Sequence, residues 1–300
     1  MTARLALVGP TASGKSRAAH EVALAAGTVE LVSLDAMAVY RGMDLATAKP
    51  TPAERGEVRY HLVDVLDPDE ELTLRRFQQL YAAAIADVAA RGRTALLVGG
   101  SGLYLRAALD GLTIPPTDPD VRRAVEAAAR TDGGLDALYA ELTRADPAAA
   151  ARIDPRNDRR VVRAVEVLRA TGRPFSSFGP GLSRYPPTDA VVVGIRFDPV
   201  RSDATIAARF DAWMAAGLLD ELSALLAAPG GLSRTARQAA GYRQLLEHLE
   251  GGVDLETAVA RAITATRRLA RRQWRWFRRD PRITWVADAN DAVAALRAAC

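Results

Sequence analysis

The first apolar run of the chain, Arg4-Leu5-Ala6-Leu7-Val8, is short and continuous and stops at Gly9-Pro10. A run of that kind, closed by a glycine turn, predicts a strand buried on both faces. Beyond it Ala18, Val22 and Ala25 recur at helical spacing, which predicts a helix over residues 14–26. Strand-like and helix-like stretches then take turns. Strands are expected at 29–34, 61–66 and 94–98, with a helix over 73–91 and another starting near Ser101. Strands alternating with helices argue for a parallel sheet with helices on both faces, the α/β class.

The pattern changes at Ile114-Pro115-Pro116-Thr117-Asp118-Pro119. Residues 119–172 read as mainly helical, and 173–189 as a loop rich in proline and glycine. Val191-Val192-Val193-Gly194-Ile195 resumes a buried strand. Residues 202–279 are helical with short breaks, and a last strand, Ile283-Thr284-Trp285-Val286, precedes a short helix. The expected organisation is a core begun by residues 1–112, a mostly helical insertion at 113–189, and a continuation of the core with basic C-terminal helices at 190–300.

Composition narrows the setting. Hydrophobic residues make up 49% and charged residues 25% of the 300, the balance of a soluble globular protein. No apolar run approaches the roughly 18–20 residues that span a bilayer, and a strand beginning at Arg4 leaves no room for a signal peptide. The single cysteine, Cys300, excludes an internal disulfide and a zinc site built on several cysteines, so a cytoplasmic setting is expected. Net charge is +4 and pI about 9.5. The only lysines are Lys15 and Lys49, and seven arginines with no acidic residue fall between Arg267 and Arg279. In a chain whose surface charge is carried by arginine, a lysine inside a glycine loop stands out.

That loop is Gly9-Pro10-Thr11-Ala12-Ser13-Gly14-Lys15-Ser16, a complete G-x-x-x-x-G-K-[ST] pattern between an apolar strand and a helix. Its backbone amides and helix N-terminus suit a phosphate, Lys15 adds a full charge, and the Ser16 hydroxyl can reach a magnesium ion. The pattern reads as nucleotide- or ATP-binding, but it equally accepts another diphosphate. A phosphate-loop NTPase places an aspartate at the end of a second strand to hold magnesium. Here 96–98 runs instead into Gly99-Gly100-Ser101-Gly102, and the acid stands at Asp35, after the strand at 29–34. Ligands of open α/β sheets bind at C-terminal strand ends, so Lys15, Asp35 and Ser101 are expected in one cleft. Taken singly, Asp35 also reads as a helix or turn cap, and Ser101 as an N-cap.

The loop is similar, residue for residue, to that of the tRNA dimethylallyltransferases (tRNA isopentenyltransferases). Further segments resemble the family in the same order: Val39-Tyr40-Arg41-Gly42-Met43-Asp44, Thr47-Ala48-Lys49-Pro50, His61-Leu62-Val63-Asp64, Leu97-Val98-Gly99-Gly100-Ser101-Gly102-Leu103-Tyr104, Asn157-Asp158-Arg159-Arg160-Val161-Val162-Arg163-Ala164, Gln238-Ala239-Ala240-Gly241-Tyr242 and Arg271-Arg272-Gln273-Trp274-Arg275-Trp276-Phe277. The lack of a zinc-finger extension resembles the bacterial branch. The resemblance implies a P-loop NTPase-like fold and transfer of a dimethylallyl group from dimethylallyl diphosphate to N6 of adenosine 37 in tRNA, with Mg2+ at Ser16 and no obligate protein partner, as a monomer. It implies Asp35 as the acceptor of the N6 proton and Ser101 near the leaving oxygen. Contacts to tRNA are implied for Asp35, Ala36, Met37, Ala38, Ser101, Arg122, Arg159, Arg160, Val161, Val162, Arg163, Arg271, Arg272 and Trp274.

The chemistry agrees with these roles. Departure of an allylic diphosphate is eased by cations and amides around it. Adenine N6 is a poor nucleophile helped by a base, and the base must leave its stack to be reached. Arginines at 159, 160 and 163, and arginines interleaved with aromatics at 267–279, suit RNA; the plainer reading is a solvated basic face with its tryptophans in the core. Two departures stand out. Asp35-Ala36-Met37-Ala38 replaces the frequent Asp-Ser-x-Gln, removing two polar side chains that could touch the adenine, and Arg156 stands where Asn is common. The alternatives are a small-molecule kinase, which leaves the basic aromatic helix unexplained, and a non-enzymatic RNA-binding protein, which leaves Asp35 and Ser101 unexplained.

Overall fold

The computed structural model describes residues 4–179 and 181–300. The chain forms two compact units, one made of Met1–Asp110 with Pro187–Cys300 and one of Gly111–Pro186. In the first unit the chain runs β1 (Arg4–Val8), α1 (Lys15–Ala26), β2 (Val29–Ser33), α2 (Pro52–Glu57), β3 (Tyr60–His61), α3 (Leu74–Ala90), β4 (Thr94–Gly99) and α4 (Gly102–Leu109). The second unit holds α5 (Pro119–Ala129), α6 (Gly134–Ala145), α7 (Pro147–Ala150) and α8 (Asp158–Thr171). The first resumes with β5 (Val191–Ile195), α9 (Pro199–Ala215), α10 (Leu218–Ala227), α11 (Tyr242–Leu249), α12 (Leu255–Phe277), β6 (Ile283–Val286) and α13 (Ala289–Arg297).

The six strands are all parallel, in the order β3-β2-β4-β1-β5-β6. Alternation of side chains sends Leu5, Leu7, Leu31, Leu96, Val193 and Ile195 to one face, where they pack with Ala18, Ala19, Val22 and Ala23 of α1 and with α13. On the opposite side α3 and α4 meet through Phe77 and Tyr104, whose rings stack at 4.1 Å. The chain is therefore α/β with helices on both faces of a parallel sheet. Ala25, expected on the buried face of α1, is exposed; the contact stripe shifts by one residue to Ala19 and Ala23.

One expected strand is cut short. Residues 61–66 yield only β3, because Leu62 and Asp64 take left-handed backbone, φ 61° and 54°. Asp64 is held there by Lys49, whose buried ammonium also reaches Asp44 at 2.7 Å and lies 2.5 Å from Asp64 Oδ1. Lys49 thus ties the segment after Asp35 to the sheet edge. A second buried network, Arg106, Asp110, Arg282 and Asp280, joins the end of α4 to the turn before β6; Asp110 accepts from Arg282 at 2.6 Å. In the second unit Val125, Leu138, Leu142, Ile153, Val161, Val162 and Val165 form a core of their own.

Candidate active site

Strand register sets the site. Val8 is level with Gly99 and with Gly194, and Ser33 with Val98, so the tips of β2, β4 and β1 end side by side. Strands stand about 4.8 Å apart, which leaves about 10 Å between the tips of β1 and β2. The phosphate loop follows β1, Asp35 follows β2, and Ser101 follows β4.

The loop turns sharply at Ala12 and Gly14, which take φ of 63° and 87°. A left-handed alanine is a conformation that only a well-braced loop holds. The bracing comes from α9 and α12: Ala12 packs on the cluster of Ile206, Phe210, Ala262 and Ala270, Ser202 lies 3.5 Å from the Thr11 carbonyl, and Gln273 Oε1 accepts the Thr11 N–H at 2.8 Å. Ser13 Oγ is buried with no partner among the described residues. An unsatisfied hydroxyl costs about 1–3 kcal/mol, and a phosphate oxygen in the loop would satisfy it.

Lys15 Nζ donates to the Pro10 carbonyl at 3.2 Å. Enclosure lowers its pKa from 10.5 to about 8; the Asp35 carboxylate works against this shift and the Arg209 guanidinium adds to it. Arg209, on α9, is half-buried, and burial holds its own pKa below the ordinary value. No carboxylate pairs with Arg209 among the described residues. Neither cation is salt-bridged among the described residues, and an anion in the loop would meet both.

Asp35 is fixed by its own turn. Its Oδ1 accepts from the N–H groups of Met37 at 2.8 Å and Ala38 at 3.4 Å, leaving Oδ2 without a partner among the described residues. Ala38 is buried, and Ala36 and Met37 are half-buried. Ser101 caps α4, its Oγ accepting from Tyr104 N–H at 3.4 Å. The cap uses a lone pair and leaves the hydroxyl proton free. Bareness at the β4 tip is required: a Cβ at Gly100 would stand 2.5 Å from Gln273 Nε2, and one at Gly102 2.0 Å from the Trp276 ring. Helix α12 therefore lies directly on this strand tip.

For a metal, the Ser16 side chain is exposed at the start of α1 and its hydroxyl is unengaged among the described residues. No group of three or more His, Cys, Asp or Glu able to hold a metal occurs among them. This donor set fits an ion that arrives with a diphosphate, since Mg2+ takes phosphate oxygens and keeps several waters.

The basic residues divide. Arg159 and Arg160 are exposed at the start of α8 with no acidic partner among the described residues. Arg163 is half-buried, donating to Glu166 at 2.7 Å and to the Pro115 carbonyl at 2.8 Å. Arg122 belongs to the second unit and is held by Glu126 at 2.6 Å and Glu166 at 3.0 Å. Val161 and Val162 are 0% and 4% exposed. Their side chains are core, so an expected RNA contact there is corrected to a supporting role: they seat α8 and leave Arg159 and Arg160 outside. On α12, Arg271 makes a two-pronged ion pair with Asp203 at 2.7 and 3.0 Å, while Arg272 is exposed and has no acidic partner among the described residues. Trp274 packs between Phe197 and Trp285, with ring centroids 6.3 and 4.8 Å away. Trp274 and Trp276 are both half-buried, the second lying against Gly102.

Sequence reasoning missed Ser13 Oγ as an orphan, Arg209 and Gln273. Gln273 carried a sign: it falls on the same helical stripe as Ala262, Thr266, Ala270 and Phe277, which are all buried, so a polar residue there needs a partner. Nothing local marks Arg209.

A family model described as IPP transferase matches residues 38–280. The chain is 43% identical over 293 residues to the tRNA dimethylallyltransferase of Bifidobacterium animalis subsp. lactis, covering 96% of this chain and 83% of that one. It is 47% identical over 301 residues to the tRNA dimethylallyltransferase of Salinispora arenicola, covering 98% and 86%. Among solved structures it matches the tRNA isopentenylpyrophosphate transferase of Bacillus halodurans with a TM-score of 0.70 and 35% identity, over 99% and 95% of the two chains. It also matches a eukaryotic dimethylallyltransferase acting on tRNA, with a TM-score of 0.77 over 99% and 78%; at 23% identity that likeness is one of fold.

Proposed function

The chain belongs to the IPP transferase family and transfers a dimethylallyl group to tRNA; we propose that the donor is dimethylallyl diphosphate and the acceptor is N6 of adenosine 37, beside the anticodon, in a cytoplasmic monomer. One observation carries this reading: the level tips of β1, β4 and β2 bring an anion loop, a hydroxyl and a carboxylate with one free oxygen into a single row. The diphosphate lies in the loop at residues 9–16, where Lys15, Arg209 and Ser13 Oγ meet the charge that grows as the allylic C–O bond breaks. Ser101 donates its free proton near the leaving oxygen. Asp35 Oδ2 takes the N6 proton as the new C–N bond forms, so adenine nitrogen never carries a full positive charge. Ser16 is the residue that would hold Mg2+ in company with the diphosphate, and the ion would supply further neutralisation of the leaving group.

The test is direct. Purified protein is incubated with labelled dimethylallyl diphosphate, Mg2+ and unmodified tRNA carrying A36-A37-A38, and the digested RNA is searched for labelled adenosine. The expected result is one labelled nucleoside, N6-(dimethylallyl)adenosine. Label absent from RNA, together with ATP-dependent phosphorylation of a small metabolite, would identify a kinase instead.

Two separate sets of RNA-contacting residues are proposed: Arg159 and Arg160 on α8 in the second unit, and Arg272 on α12 in the first. Arg272→Ala is expected to weaken tRNA binding and to make the log-log salt slope shallower by about 1. Arg271→Ala, which breaks the pair with Asp203 and a bond to the Arg267 carbonyl, should leave that slope unchanged. Equal slopes for the two variants in titrations across salt would refute the distinction. Arg160→Ala should behave as Arg272→Ala does.

A further inference from the structure

Helix α12 has two opposite faces. At about 100° per residue, Arg261, Arg268, Arg272 and Arg275 fall within about 60° of one another. All four are exposed. About 150° away lies the stripe of Ala262, Thr266, Ala270, Gln273 and Phe277. In that stripe Ala262, Thr266, Ala270 and Phe277 are buried, and Gln273 is half-buried.

Gln273 is the one amide of that stripe, and its oxygen is engaged by the loop while its nitrogen end lies against the tip of β4. Its Oε1 accepts the Thr11 N–H at 2.8 Å across 262 residues of sequence. Its Nε2 lies where a Gly100 Cβ would be only 2.5 Å away, wedged between the phosphate loop and the tip of β4, with no partner among the described residues. The loop it grips is otherwise poorly determined by its own sequence. Ala12 is left-handed, Ser13 Oγ is unsatisfied, and the Pro10 carbonyl carries the bond from Lys15. Thr11 stands between Pro10 and Ala12, so fixing its N–H fixes the carbonyl that orients Lys15 and the turn that presents Ser13.

We infer that Gln273 is a positioning residue for the donor diphosphate: it holds the phosphate loop in its anion-binding shape from the back of a helix whose front carries exposed arginines, of which Arg261 pairs with Glu247 at 3.3 Å while Arg268, Arg272 and Arg275 have no acidic partner among the described residues. This rests on the functional reading above. A residue acting only on overall packing would disturb both ligands and the fold together. A positioning residue for the loop disturbs the diphosphate alone.

Gln273→Ala, Gln273→Glu and the unaltered protein are compared by calorimetric titration with dimethylallyl diphosphate and Mg2+ in the absence of tRNA, by tRNA binding in the absence of donor, by turnover, and by thermal unfolding. Gln273→Ala is expected to weaken donor binding and raise the donor KM on the order of tenfold, the loss of one oriented loop bond, while the tRNA Kd stays within about twofold and unfolding is little changed. Gln273→Glu keeps an acceptor for the Thr11 N–H but sets a carboxylate beside the diphosphate, so it should bind donor more weakly than Gln273→Ala while retaining tRNA binding. Unchanged donor affinity in Gln273→Ala overturns the inference. A parallel loss of donor affinity, tRNA affinity and thermal stability overturns it too, by reducing Gln273 to a packing residue. If the unaltered protein binds tRNA but not the donor, the functional reading itself fails and the inference falls with it.

Discussion

Asp35→Asn is expected to lower turnover by about 10²–10⁴-fold, the range for loss of a general base, while tRNA and donor still bind. Asparagine is the informative replacement. Its side-chain oxygen can still accept the Met37 and Ala38 N–H groups that Asp35 Oδ1 accepts now, so the turn after β2 survives. What is lost is the charge and the basic lone pair on the free oxygen. Single-turnover measurement with saturating tRNA isolates the chemical step. A variant with normal single-turnover rates would remove Asp35 from proton transfer and leave it as a turn cap; loss of tRNA binding with a normal rate once bound would make it a recognition residue.

Lys15→Ala should cost about 10²–10³-fold in turnover, comparable to removal of a donor from an oxyanion site, with most of it visible as lost diphosphate affinity. The pH dependence is the sharper measurement. The Lys15 ammonium is fully formed well below pH 8 and is lost as pH rises through its folded pKa of about 8. A bound diphosphate favours the charged form, so binding takes up a proton above that pH. The donor Kd should be flat below pH 7 and rise toward tenfold per pH unit above pH 8. Lys15→Arg, whose guanidinium stays charged, should bind donor with a flat profile over the same range. A wild-type profile that is also flat to pH 9.5 would contradict the enclosed ammonium. The same shift has a consequence for folding in the absence of donor. Between about 8 and the unfolded value of 10.5 the unfolded chain holds more protons at Lys15 than the folded chain does. This group's contribution therefore favours the folded state increasingly as pH rises through that window.

Much of this was legible before any coordinates. Apolar runs predicted β1 and β5 to the residue, because strands buried on both faces need unbroken hydrophobic segments. The strand expected at 61–66 was lost to a side chain far off in sequence order: Lys49 draws Asp64 into a left-handed turn, and local hydrophobicity has no term for that. The boundary near 113 was marked by prolines, and the compact units divide at Asp110 and again at Pro187.

The presence of the loop at residues 9–16 and of the carboxylate at Asp35 was legible in the sequence itself, since a glycine pattern, a lysine and an acid placed after strands are local features read in order; the loop's shape is braced from α9 and α12. Only the tertiary structure decided which cations are free. Arg271 and Arg272 are neighbours in the chain, but a turn of about 100° sends one to Asp203, 68 residues away, and the other to solvent. It likewise placed Trp274 among Phe197 and Trp285, sent Val161 and Val162 inward, brought Arg209 into electrostatic reach of Lys15 and laid Gln273 on the loop. The reason is common to all of these. Periodicity tells which face of a helix a residue occupies, but what meets that face is fixed by elements that pack from elsewhere in the chain.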